Sequence, residues 1–173
     1  ENQETLISKN IFGFEIINYY ISNPFTEFWF KLSAKILKPE INPFYISPLL
    51  PSDEYELVHS LDFQIDNSLF LRSTDLTKMP VLNHYTFPEY YGEIQIFEYL
   101  LQLTSFLYQL LEYSPESTDV NTSIEEVLRI RKGVCQDYAH LFISICRQNK
   151  IPARYVSGYL NQGAGFTGTS QLH

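Results

Sequence analysis

Cys135 is the residue of this 173-residue chain whose setting could turn a side chain into a nucleophile. Around it, from Val134 onward, the apolar residues Val134, Tyr138, Leu141, Phe142 and Ile145 fall at helical spacing, with Gln136, Asp137, His140 and Gln148 on the other faces. This periodicity predicts a helix with Cys135 in its first turn. Amide N–H groups there lack intrahelical partners and the helix dipole is positive, so a thiolate is stabilised. Gly133 lets the chain turn sharply before the thiol and leaves room for a substrate. Six bases (Arg129, Arg131, Lys132, Arg147, Lys150 and Arg154) and one acid, Asp137, fall between Arg129 and Arg154, in a chain of net charge −8. Such a neighbourhood favours a thiolate, and equally these bases could close two consecutive helices by countering their dipoles. Asn149 is placed to take the left-handed position that ends the helix, and Pro152 forbids its continuation. From Arg154 to Leu160, Tyr155, Ser157 and Tyr159 alternate with their neighbours as in a strand.

The second cysteine, Cys146, is eleven residues further along the same helix. That is roughly 16 Å along the axis, beyond disulfide reach. Two free thiols suit a reducing compartment, and the cytoplasm is the expected location. Cys146 reads as a small buried hydrophobe beside Ile145. A thiol nucleophile also requires a base. His140, five residues past Cys135, is turned about 140° around the helix and about 7.5 Å along it, which assigns it a structural or surface role. His59 shares an apolar face and has no second ligand spaced nearby, so it reads as a core or sheet-edge histidine and no metal site is expected. His84 lies in a loop context between Pro80 and Pro88.

Gly163–Gly168 satisfies the G-x-G-x-x-G pattern that opens dinucleotide-binding folds. Only five residues follow it, with no helix to hold a pyrophosphate and no acid about twenty positions on. It reads as a strand-to-strand connection near the cleft, and no cofactor is expected.

Two blocks, Arg131–Leu141 (RKGVCQDYAHL) and Ile151–Leu160 (IPARYVSGYL), together resemble the core of bacterial transglutaminase-like proteins, a group that includes cysteine proteases. The resemblance is dense over residues 122–173. It implies that His173, which follows the second block across a glycine-containing loop, is the catalytic histidine. It implies a papain-like cysteine proteinase arrangement in which the nucleophile helix packs on a small antiparallel sheet. The family core normally continues past its histidine to further strands and an aspartate; the core here reads as truncated at the carboxyl end, and these 173 residues are expected to be inactive alone.

The chemistry so implied is acyl transfer through a thioester: Cys135 attacks a carboxamide or peptide carbonyl, and His173 shares the thiol proton and returns it to the leaving amine. The backbone N–H of Cys135 is the first oxyanion donor, and Gln136 is a candidate second donor with a structural role as the alternative. Asp137 is expected to point across the helix and to be a poor substitute for the third triad residue. A peptidase or amidase, a transglutaminase crosslinking glutamine to amines, and a non-catalytic binding module on the same fold all fit, each with a protein or peptide partner.

The elements that must position this site complete an α+β fold. Phe12, Phe14 and Ile16 alternate before a turn at Asn23–Pro24, and Phe28, Phe30, Leu32, Ala34 and Ile36 alternate after it. Beyond a proline-marked loop over 39–51, a third run places Tyr55, Leu57, His59, Leu61, Phe63 and Ile65 on one strand face. These make residues 1–90 an amino-terminal, mainly antiparallel β region, followed by the core at 91–173. From Gly92 the period changes: Ile94, Phe97, Leu100, Leu101, Phe106, Leu107, Leu110 and Leu111 predict a long buried helix. Residues 113–120 read as a connector, and Thr122 with Glu125 forms a T-x-x-E capping box opening a short helix through Leu128. The acidic balance argues against a nucleic-acid or anionic-membrane binder, and the greasy stretch 94–111 is too interrupted by Gln and Glu for a membrane span.

Overall fold

Asn10 builds the first turn. Its Oδ1 accepts the backbone N–H groups of Phe12 and Phe14, both at 3.0 Å, and Gly13 takes φ +80°. Strand β1 (Glu4–Lys9) thereby folds back on β2 (Glu15–Tyr20) as an antiparallel pair, in register from Glu4↔Tyr20 to Lys9↔Glu15. Phe12 and Phe14, expected to lead the strand, lie instead in the turn. The structure, a computed structural model, describes residues 4–21, 24–29, 31, 37, 49–81 and 85–158. Phe30 and residues 32–36 of the second expected strand lie outside the described residues, as does His84. The hairpin belongs to the first of two units, Glu1–Pro43; the second is Phe44–His173.

In the second unit, the expected strand over residues 55–65 is helical: α1 spans Pro51–His59 and α2 Leu61–Asp66. Pro51 stands at the first helical turn with Asp53 and Glu54 close behind, a helix-opening combination that outweighs the apparent alternation. Glu54 and Val58, four apart, are the buried pair of α1. Ser60 separates the two helices, its hydroxyl accepting the Phe63 N–H at 3.4 Å. His59 ends α1, its ring stacked on Tyr55 at 4.0 Å and its Nδ1 2.9 Å from the Tyr55 carbonyl. Helix α3 (Ser68–Leu71) and a 3₁₀ turn at Asp75–Thr77 follow.

Helix α4 (Ile96–Leu110) buries Tyr99, Leu103 and Leu107, a stripe of four-residue steps. Leu101, expected inside, is exposed. The buried Glu54 carboxylate accepts the Ile96 N–H at 2.9 Å, so α1 caps α4 from outside its own sequence. Two-residue strand β3 (Glu112–Tyr113) comes next, then α5 (Ile124–Ile130), two-residue β4 (Lys132–Gly133) and α6 (Cys135–Gln148). The core joins α4, α5 and α6 through Leu103, Leu107, Leu128, Leu141 and Ile145, each of which contributes about 1.5–3 kcal/mol by leaving water.

Helix ends differ from the expected registers by one residue. Ser123 rather than Thr122 caps α5, accepting the Glu126 N–H at 3.3 Å, while Thr122 bonds back to Asp119. Beyond α6, Lys150 takes the left-handed conformation at φ 61°, and Asn149 stays at φ −84° because its side chain is in use. Asn149 Nδ2 donates to the Ile145 carbonyl at 2.9 Å and its Oδ1 accepts the Tyr90 N–H at 2.8 Å. The strand expected from Arg154 is absent over 154–158, which make no ladder with any described residue; Tyr159 and Leu160 lie outside them. Among the described residues no helix is long and apolar enough to cross a membrane.

Candidate active site

The thiol is presented by a short parallel bridge and a buried carboxylate. Helix α5 closes at Arg131, in the left-handed conformation at φ 53°, and β4 then pairs with β3, Glu112 opposite Lys132 and Tyr113 opposite Gly133. The Glu112 N–H donates to the Arg131 carbonyl at 2.8 Å and the Ser114 N–H to the Gly133 carbonyl at 3.1 Å. A Lys132–Glu112 ion pair at 3.5 Å lies over the bridge.

Val134 is the N-cap residue of α6, and its apolar side chain cannot cap. Asp137 supplies the missing acceptor from inside the first turn: its Oδ2 takes the Val134 N–H at 2.7 Å and the Thr118 hydroxyl at 2.6 Å. The Asp137 side chain is buried and folds back over the helix mouth instead of pointing across the helix. Gly133 lacks a Cβ for the same reason. A Cβ there would meet the Asp137 side chain, so its space serves the carboxylate and not a substrate.

Cys135 is exposed in the first turn of α6, as its spacing predicted, and Cys146 is buried on the same helix. Burial pushes the Cys146 thiol up to about 12. Cys135 lines an open cavity of about 390 Å³, walled by Leu107, Tyr138, Phe142, Arg154 and Tyr155. Tyr113 pairs with Gly133, two residues before the thiol, and the Cys135 side chain raises its phenol above the ordinary value of 10. Residues 113–120 carried no periodic signal, so Tyr113 and Thr118 read as connector. Only their flanking position, at the end of the long helix, hinted that this segment returns to the helix mouth.

Gln136 is committed elsewhere, its Nε2 donating to the Asp119 carbonyl at 2.8 Å. His140 is half-buried against Tyr155, ring centroids 5.4 Å apart, and burial lowers its pKa below 6.5 against the opposing charge of Asp137. The surrounding bases serve helix ends and local partners. Arg129 pairs with Glu126 in the last turn of α5, at 2.6 Å. Arg147, in the last turn of α6, donates to the carbonyls of Phe70 and Ala153 and to Thr77 Oγ1. His173 and the 163–168 glycine pattern lie outside the described residues. Among the described residues no group of three or more His, Cys, Asp or Glu side chains could hold a metal ion.

This thiol at a helix mouth sits within a family core. Residues 89–172 match the family described as the transglutaminase-like superfamily. Uncharacterized proteins of Mycobacterium tuberculosis and Mycobacterium bovis are 40% identical over 79 residues, 46% of this chain and 25% of theirs. One from Mycobacterium leprae is 49% identical over 51 residues, 30% of this chain and 18% of its own. The crystal structure of a putative cysteine protease from Cytophaga hutchinsonii has a TM-score of 0.55 and 32% identity, over 70% of this chain and 41% of that one. The match thus spans about a quarter of the length of the first mycobacterial relatives. Residues 89–172 are therefore a transglutaminase-like superfamily core, in a chain of α+β fold.

Proposed function

We propose that this protein is a cysteine peptidase or amidase that cleaves peptide or glutamine carboxamide bonds through a Cys135 thioester. The observation that carries the reading is an exposed thiol in the first turn of α6, at the wall of an open cavity, in a core of the transglutaminase-like superfamily. The Cys135 thiol gives its proton to the His173 imidazole as sulfur bonds the carbonyl carbon and the C=O π pair moves onto oxygen. The backbone N–H of Cys135 faces that oxygen at the positive end of the helix. As the C=O bond re-forms, the C–N bond breaks and the departing nitrogen takes the proton from His173. Water then gives a proton to His173 as its oxygen bonds the thioester carbon; the C–S bond breaks, the acid leaves and the sulfur takes the proton back to restore the Cys135 thiol. An amine in place of water would give crosslinking, which requires a dry acceptor site. The partner is a peptide or protein, and the two free thiols suit a reducing compartment, the cytoplasm.

The test is turnover of a glutamine-containing peptide with a labelled primary amine present. Ammonia or peptide release without label incorporation, lost in Cys135→Ala, supports the hydrolase. Incorporation of the label identifies a transglutaminase, and no reaction at Cys135 with retained peptide binding identifies a binding module.

A further inference from the structure

We propose that a second site, remote from the thiol, binds an organic cation: an ammonium or guanidinium group on an aliphatic stem, seated in the cavity between α1, residues 85–91 and the carboxyl end of α6. The cavity holds about 550 Å³. Helix α1 lines it with Tyr55 and His59, the 85–91 segment with Phe87 and Glu89, and α6 with Gln148. Cys135 opens the same helix that Gln148 ends, so the cavity lies about 20 Å along the axis from the thiol. The assignment therefore stands apart from the reading of Cys135 as the nucleophile.

Charge selects the ligand. Among the described residues that line the cavity there is no lysine or arginine, and Glu89 is the carboxylate. Its Oε2 accepts the Tyr91 hydroxyl, and no ion pair among the described residues claims it. Helix α6 turns the negative end of its dipole to this side. His59 adds an acceptor. The Tyr55 carbonyl, 2.9 Å from His59 Nδ1, can only accept, so Nδ1 carries the hydrogen and the neutral ring keeps Nε2 as an acceptor. A carboxylate, an imidazole nitrogen and a helix carboxyl end together favour a positive group with N–H donors and oppose an anion.

The walls suit an aliphatic stem. Tyr55 and Phe87 contribute aromatic rings, whose faces attract a cation and also cover methylene groups. Tyr85, in the same wall, already holds one cation, the Arg131 guanidinium standing 5.9 Å over its ring, which leaves the other rings for a ligand. The walls are set before a ligand arrives. Asn149 Oδ1 accepts the Tyr90 N–H at 2.8 Å, tying the segment to the end of α6, and the Tyr99 hydroxyl donates to the Pro88 carbonyl at 2.9 Å. Such preorganisation reduces the ordering cost of binding.

The test is an NMR titration of the whole chain, labelled with nitrogen-15, with n-pentylamine at pH 7. Saturating shifts are expected at backbone amides within 85–91 and at the side-chain amides of Gln148 and Asn149. 1-Pentanol, the same stem uncharged, and pentanoate, the same stem with the opposite charge, are expected to bind at least about tenfold more weakly. The amine should bind Glu89→Gln about tenfold more weakly as well, the order set by one hydrogen bond to a charged group. Glu89 is exposed, and an otherwise unchanged spectrum verifies that the variant is folded. Nα-acetyl-lysine methylamide separates two sources of the ammonium: affinity equal to that of pentylamine assigns the site to a lysine side chain of a peptide, and much weaker binding assigns it to a free amine. Equal binding of pentanol, unchanged affinity in Glu89→Gln, or shifts spread over the acidic surface without saturation overturns the site.

Discussion

A Cβ built on Gly133 would stand 2.8 Å from the Asp137 Cβ, so the glycine before the thiol exists to admit the carboxylate behind it. The two positions form one device. Asp137 caps the helix that carries Cys135, and Gly133 makes the space from which it does so.

Gly133→Ala is therefore expected to destabilise the fold by about 1–3 kcal/mol, the usual penalty of overpacking a closed site. Asp137→Ala is expected to cost about as much, through loss of two hydrogen bonds to a charged acceptor. Because both act on one contact, the double variant should fall well short of the sum. Urea unfolding midpoints of the three variants decide this; strictly additive losses would mean that the two residues act separately.

Arg147 holds together chain segments that are remote in sequence. Its guanidinium donates to Phe70 and Ala153 carbonyls and to Thr77 Oγ1, and burial pulls its pKa below the usual arginine value. A lysine keeps the charge but not the planar fork of donors. Arg147→Lys is expected to lose about 2 kcal/mol, from one or two bonds left unmade around a partly buried cation. A denaturation midpoint equal to wild type would show these bonds to be energetically idle.

The thiol was legible in the sequence because its signal is local. Helical spacing after Val134 and the blocks on either side place Cys135 in the first turn without any knowledge of tertiary structure. Tyr113 was not legible. It is set opposite Gly133 by a two-residue parallel bridge whose strands are separated by a whole helix, and such a pairing leaves no periodic trace. Asp137 was seen as a residue but its direction was misjudged, since a capping side chain folds back toward the N-terminus of its own helix. The helices over 51–66 were masked by accidental alternation, although Pro51, Asp53 and Glu54 carried the start signal. Cap registers slipped by one at Ser123, beside the similar Thr122, and at Lys150, which takes the left-handed position although Asn149 has the higher propensity for it.

His140 sets an acid-side limit on stability. Burial against Tyr155 lowers its pKa below 6.5, so the folded state binds fewer protons there than the unfolded chain. Its contribution is complete above the unfolded value of about 6.5 and is lost as the pH falls through the lower folded value. NMR titration should place its midpoint below 6.5. Part of the stability lost between pH 7.5 and 5.5 should vanish in His140→Gln, and a midpoint above 6.5 would reverse the assignment.

The histidines are also expected to separate by turnover. In protein that hydrolyses a glutamine-containing peptide, His140→Ala should keep activity within about tenfold, because its ring packs on Tyr155 and adjusts only the helix face. His173→Ala should abolish it, by the factor of 10² or more typical of a lost general base, about 10²–10⁴. A folded but dead His140→Ala protein would move the base to position 140.

The two thiols give the most direct test of the site. Cys146 is 1% exposed and its thiol is pushed up to about 12, so at neutral pH only about 10⁻⁵ of it is thiolate, against about 10⁻² for an ordinary cysteine. Titration alone makes it roughly a thousandfold slower toward iodoacetamide, and burial adds the requirement that the fold open first. Cys135 is exposed in the first turn of its helix. At pH 7, mass-mapped alkylation should label Cys135 to completion before Cys146 reacts measurably, and both should react together in urea. Equal labelling in native buffer, or Cys146 first, would place the reactive sulfur elsewhere and end the case for Cys135 as the nucleophile.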